Sequence, residues 1–187
     1  MSYLETNLLP LMLQITPKKT ESHILSALGL ANRVSQQSIL IAFGNEIEHF
    51  WNQVISDSSS AINLIESSNL IDVDGKDRQI DHLFSIDDWI HYLESKCNLN
   101  FDSEKIVASN AKVNAIRDTI GGNISAAYFV PVVATVSTVE KKKYAKKGMN
   151  VLGVNDLLDM VDAPFTSEEY FTFLREVVAP ILEEKGL

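Results

Sequence analysis

An α/β fold around a mixed β-sheet, with an antiparallel meander flanked by helices, is the architecture this sequence predicts, on three observations. An amphipathic helical stretch follows Ser35. Three short strand-like runs, separated by turn signals, lie between residues 69 and 98. A second helical stretch then leads into the near-continuous apolar run 126–135, AAYFVPVVAT. Helix, three meandering strands, helix and buried strand is the order of a sheet covered by helices.

In chain order, residues 1–19 mix apolar and polar side chains, and Pro10 and Pro17 interrupt any long helix. Ile24, Leu25 and Leu28 fall at helical spacing over 20–30, where Gly29 can end the helix. Ser35 is placed to N-cap a longer helix reaching about residue 56, with the stripe Ile39, Leu40, Phe43, Ile47, Phe50, Trp51 and Val54 facing inward. The Ser-rich stretch 57–68 reads as a loop or a short helix around 61–66. Strands are expected over 69–73, 78–85 and 89–98. Asp74-Gly75 supplies the first turn, since both central positions of a tight hairpin need positive φ, and 86–88 the second. From Asp102 or Ser103 a helix runs to about Ile120, burying Ile106, Val113, Ile116 and Ile120, until Gly121-Gly122 stops it. The apolar run reads as a central strand in which Pro131 demands a bulge or a missing ladder bond. The lysine-rich segment 139–147 reads as loop or exposed helix, 150–153 as a last short strand, and 154–160 and 167–184 as helices. Thr166 or Ser167 caps the final helix, with Phe171, Leu174, Val178 and Leu182 inward. No repeat or linker divides the chain, so 1–187 reads as a single domain with its core over about 35–135, and with 1–34 and 136–187 peripheral.

The 187 residues suffice for a full core, and 45% hydrophobic with 22% charged residues is ordinary for a globular protein. No apolar run approaches the roughly eighteen residues of a membrane span, so no membrane partner is expected. The first residues lack a basic start and carry Glu5, unlike a signal peptide, and the lone Cys97 cannot form an internal disulfide; a reducing cytoplasmic setting is the expectation. A net charge of −9 weighs against nucleic acid. Net charge does not locate patches, however, and Lys141, Lys142, Lys143, Lys146 and Lys147 lie within seven positions.

The chemistry-bearing stretch is 78–105, RQIDHLFSIDDWIHYLESKCNLNFDSEK. Glu94 and Lys96 are two apart on one strand, so they share a face while Ser95 takes the other. Twelve residues separate Asp81 from Glu94, a spacing that suits a hairpin and brings Asp81 beside them. Two carboxylates and an amine in one small volume can hold a divalent metal next to an attacking water.

Element order and the cluster Asp81 … Glu94-Ser95-Lys96 together resemble the PD-(D/E)XK nuclease superfamily, whose core is helix, β-meander, helix, strand, with the acid on the second strand and E-x-K on the third. The longer string ESKCNLNFDSEK, residues 94–105, is similar to the segment after the catalytic lysine in several type II restriction endonucleases. The resemblance covers about 35–135 and is strongest over 78–113. It departs from the pattern at Ile80, where the family usually has proline. It implies a restriction-endonuclease-like core and a Mg²⁺-dependent, sequence-specific endonuclease acting on double-stranded DNA, a type II restriction enzyme, with Mn²⁺ able to substitute. Asp81 and Glu94 would be metal ligands, with the backbone carbonyl of Ser95, and Lys96 would orient or deprotonate the water. A glutamate on the first helix can complete the metal shell in such enzymes; Glu46 fits by helical position and Glu48 by its spacing after Gly44, and Glu46 is preferred. Asn98 and Asn100 would approach DNA, and Lys105 and Lys112 would touch phosphate. A homodimer matching a palindromic site and a neighbouring gene for the cognate DNA methyltransferase are further expectations.

Two other readings stay open: a structure-selective or repair nuclease on the same fold, and a non-enzymatic interaction module. The plain alternative for the triad is a solvated ion pair on a sheet face, and for the lysine run an exposed surface. Asp72-Val73-Asp74-Gly75 does not complete a calcium loop, because no glutamate stands at its twelfth position. His23, His49, His82 and His91 are scattered, and no glycine-rich phosphate loop or nucleophile elbow occurs.

Overall fold

The computed structural model of the chain describes residues 1–16, 36–65, 69–97, 103–121 and 124–187. The expected 20–30 helix and its neighbour Ser35 lie outside the described residues. Two short helices open the chain. The first, α1 (Tyr3–Asn7), starts with a capping box in which Ser2 and Glu5 exchange hydrogen bonds. The second, α2 (Leu9–Gln14), carries Pro10 in its first turn, where the missing N–H costs nothing. Helix α3 (Gln36–Asp57) buries Ile39, Phe43, Ile47, Phe50, Trp51, Val54 and Ile55. Leu40, expected inward, is 48% exposed.

Six strands follow among the described residues: β1 (Ala61–Asn63), β2 (Leu70–Val73), β3 (Lys76–Gln79), β4 (His82–Ile86), β5 (Trp89–Lys96) and β6 (Ile124–Pro131). They form a four-stranded sheet in the order β1-β4-β5-β6 and a separate β2-β3 hairpin. β4 is antiparallel to both β1 and β5, and β5 is parallel to β6, so the sheet is mixed. The loop or short helix anticipated around 61–66 is instead the edge strand β1, its start set by Ser58 Oγ accepting the Ala61 N–H.

Asp74 and Gly75 both adopt positive φ, 53° and 74°, which is the turn their sequence specifies between β2 and β3. The strand expected over 78–85, however, breaks at Ile80-Asp81. Residues up to Gln79 pair with β2, and residues from His82 pair with β5. The break arises because Asp81 turns its carboxylate onto the Ser95 N–H and leaves the ladder.

Helix α4 (Ser103–Ile120) links β5 to β6 and ends at Gly121, whose φ of 62° is the left-handed cap glycine allows. Its buried Ile106, Val113 and Ile116 pack against Tyr92, Ala127 and Phe129 of the sheet. Pro131 falls at the last position of β6, so no interior ladder bond is lost. Beyond it lie α5 (Thr138–Ala145), α6 (Val154–Met160) and α7 (Ser167–Phe173). A π-helical turn, Leu174–Val178, then leads into α8 (Ala179–Glu184). The expected strand at 150–153 is reduced to a single bridge, Phe129 with Val151.

The final helix buries Tyr170 and Phe173 rather than Phe171 and Leu174. The π turn explains the shift. Pro180 has no N–H to continue the α pattern, and the Ala179 N–H reaches back to Leu174. The extra residue stretches the buried spacing from Phe173 to Val178 to five and moves the upstream stripe back by one position.

Two compact units result: Met1–Phe50 with Glu168–Leu187, and Trp51–Ser167. In the first, Lys185 Nζ donates to the carbonyls of Leu13 and Ile15, and Phe50 stacks on Tyr170. The second holds both sheets and α4. No helix among the described residues is long and apolar enough to cross a membrane.

Candidate active site

Alternation along β5 puts Tyr92, Glu94 and Lys96 on the face covered by α4, and Leu93 and Ser95 on the other. Glu94 is only 4% exposed. A carboxylate so placed needs compensation for its lost water. Lys96 Nζ donates to Oε1 at 2.8 Å, and Lys112 Nζ, from α4, donates to Oε1 at 2.7 Å and to Oε2 at 2.9 Å. The Tyr92 hydroxyl donates to Oε2 at 2.5 Å. These bonds fill the roughly four lone-pair positions of a carboxylate. Burial works to raise the Glu94 pKa, but Lys96 and Lys112 outweigh it and the group lies below the usual carboxylate range. Burial, followed by the charge of Glu94, pushes the Tyr92 phenol up, so it remains a donor.

Asp81 occupies the break between β3 and β4 and is 8% exposed. Its Oδ2 accepts the Ser95 N–H at 2.8 Å, and its backbone carbonyl accepts from Asn52 Nδ2 at 3.2 Å. The bond to the Ser95 N–H ties it to the residue between Glu94 and Lys96 on β5. Behind β5, His82 Nδ1 meets Asn52 Oδ1 at 2.8 Å and its Nε2 meets Ser95 Oγ at 2.5 Å. Because the Asn52 amide nitrogen is committed to Asp81, its oxygen faces His82. Nδ1 therefore carries the proton and Nε2 accepts from the Ser95 hydroxyl. Burial drives the His82 pKa down to about 3, leaving the ring neutral. Asn52, His82 and Ser95 thus fasten the last turns of α3 to β4 and β5, and Ser95 in turn fixes the Asp81 carboxylate.

Glu94 and Lys96 are in contact, and Asp81 is bonded to the N–H of Ser95 between them, all within the second unit. Lys112 joins them from α4, bonded to Glu94 at the position where phosphate contact was expected. Lys105, one turn-pair earlier, is exposed. Asn98 and Asn100 lie outside the described residues. Glu46 belongs to the first unit, where its Oε2 accepts from Gln14 Nε2 at 3.3 Å and lies 3.6 Å from His49 Nδ1. The lysine segment forms α5, with Lys141 paired to Asp156. Cys97 is half-buried, and burial raises its thiol pKa. Tyr92 escaped the reading of the sequence although it stands two residues before Glu94 on the same face. Lys112 was read from the sequence as a phosphate contact, and its pairing with Glu94 was not legible there.

Carboxylates are hard oxygen donors of the kind Mg²⁺ takes, and the ion needs only one or two of them, but both Glu94 oxygens are held by Tyr92, Lys96 and Lys112, so a cation at Glu94 would have to displace a donor.

No protein-family model matches the chain, and no curated protein matches it either. Among solved structures, Can2 from Sulfobacillus thermosulfidooxidans in complex with cyclic tetra-adenylate is 15% identical, with a TM-score of 0.41 over 80% of this chain and 48% of that one. Protein VC1899 from Vibrio cholerae is 15% identical, with a TM-score of 0.40 over 70% of this chain and 35% of its own. The chain therefore spans about half the length of the first and about a third of the second.

Proposed function

We propose that the protein is a Mg²⁺-dependent nuclease of the PD-(D/E)XK type acting on double-stranded DNA, with sequence-specific cutting of the restriction kind as its finest form. One observation carries the reading: Lys96 lies 2.8 Å from Glu94 on one face of β5, and Asp81 is bonded to the N–H of the residue between them. Phosphodiester hydrolysis builds negative charge on the phosphate and requires an activated water. Bound here, Mg²⁺ would supply charge stabilisation and a water of lowered pKa. Asp81 and Glu94 would hold the ion. Lys96 would orient the attacking water and offset charge on the phosphate, its position set by the strand. The Asn52–His82–Ser95 chain keeps Asp81 aimed, so that little reorganisation is needed on substrate arrival.

The test is incubation of supercoiled plasmid with the protein in Mg²⁺ and in EDTA. Cutting in Mg²⁺ alone is expected, and Asp81→Asn, Glu94→Gln and Lys96→Ala each lower the rate by about a hundredfold or more. Discrete fragments mark a restriction enzyme; products that depend on ends or junctions mark a structure-selective one. Intact plasmid with both Mg²⁺ and Mn²⁺ overturns the proposal.

A further inference from the structure

Lys112 does not point along its helix to solvent. Its ammonium straddles Glu94, 2.7 Å from one oxygen and 2.9 Å from the other, whereas Lys96 reaches Oε1 alone. A bidentate cation would approach the carboxylate in the same manner, and every lone pair it needs already holds a hydrogen. The two ammoniums also balance the formal charges of Asp81 and Glu94, so no surplus negative charge is left to attract an ion. The two lysines differ in how they are held. Lys96 shares the Glu94 strand, so alternation keeps it on the same face as the carboxylate, although its side chain, 27% exposed, is as open to water as that of Lys112. Lys112 reaches over from α4 on a four-carbon stem, and its side chain is 28% exposed, so a path to water is open.

We infer that Lys112 is the resident counter-ion of Glu94 and that a divalent metal enters the site by displacing it. The inference rests on the metal-site part of the function proposed above. Lys112 stabilises the metal-free protein by satisfying a buried carboxylate, and by the same contact it weakens metal binding. Once displaced, its ammonium is free for a phosphate oxygen, so arrival of DNA and entry of metal favour each other.

Calorimetric titration of Mn²⁺ into the full chain without DNA tests this. Lys112→Met, which keeps the stem and removes the charge, binds Mn²⁺ about tenfold tighter or more than the unmodified protein. Lys112→Gln does likewise, and provides a second variant should the first fold poorly. Lys112→Arg, which keeps the charge, binds no tighter than the unmodified protein, and Glu94→Gln removes binding in every background. Equal affinity with and without the Lys112 charge, while Glu94→Gln still abolishes binding, overturns the counter-ion role and leaves the nuclease reading standing. Tighter binding in Lys112→Met alongside uncut plasmid keeps the counter-ion role and removes the nuclease reading. Mn²⁺ binding that never depends on Glu94 overturns both.

Discussion

His82 enters the folded protein neutral, between Asn52 and Ser95, with its pKa pushed down from 6.5 to about 3 by burial. In the unfolded chain the ring takes up a proton below about pH 6.5, so between these two values the unfolded state binds more protons than the native one. Stability from this residue is therefore complete above pH 6.5 and is lost as pH falls toward 3, at up to about 1.4 kcal/mol per pH unit. Moving from pH 7 to pH 5 costs about 2 kcal/mol through His82. His91, whose pKa burial also lowers, acts in the same direction. The difference between the natural protein and His82→Gln isolates the first residue. Urea midpoints measured at pH 7 and pH 5 should converge for the variant relative to the parent, because glutamine keeps hydrogen-bonding groups without titrating. A variant with the same loss of stability between those pH values would assign the pH dependence elsewhere. Glu94 contributes with the same sign: its lowered pKa gives stability that is lost as pH falls through the carboxylate range.

Among the helices, α5 leans on local interactions, since none of its residues is buried and Tyr144 packs only partly buried against the core. Its capping box, Ser137 with Glu140, and the Lys141–Asp156 pair hold it in place. Replacing Ser137 by alanine removes a cap worth about 1 kcal/mol. Amide exchange over residues 141–145 should quicken by about fivefold, while the global unfolding midpoint changes little. Such local rules are what made much of the fold legible. Period-two alternation gave β5 and the shared face of Glu94 and Lys96, and the stripe Ile106, Val113, Ile116 gave α4. Asp74-Gly75 gave the β2–β3 turn. The features that could not be read are set by contacts distant in sequence. The chain from 78 to 85 holds no glycine or proline to mark a break, and the bond from the Ser95 N–H to Asp81, which separates β3 from β4, joins residues distant in sequence. Strand β1 has three residues, too few to display a period. The π turn before Pro180 shifts the phase of the last helix in a way that 3.6-residue counting does not anticipate. Likewise, Lys112 belongs to Glu94 because α4 crosses β5, which no spacing within α4 reveals.

For the whole molecule, charge is the constraint any DNA-cutting role must satisfy. The chain carries −9, while duplex DNA presents about one negative charge every 1.7 Å, so approach is opposed at long range. Without metal the site offers little relief, because Lys96 and Lys112 are both paired with Glu94. On the proposed mechanism, DNA binding draws its positive charge from the divalent ion and from Lys112, which metal entry releases. Lys96→Ala protein, impaired in cutting but with Asp81 and Glu94 intact, permits the measurement. Fluorescence anisotropy with a labelled duplex should show binding in Mg²⁺ at least about tenfold tighter than in EDTA, since a divalent ion at the phosphate removes the main electrostatic penalty. The dependence on monovalent salt in Mg²⁺ should be shallow, corresponding to about three released counter-ions or fewer, at a slope near −0.9 each. Equal binding in EDTA with a steep salt slope would mean that a basic face carries the DNA without metal. The exposed Lys142, Lys143, Lys146 and Lys147 would then be the first residues to neutralise, and the charge balance at Glu94 would cease to govern DNA binding.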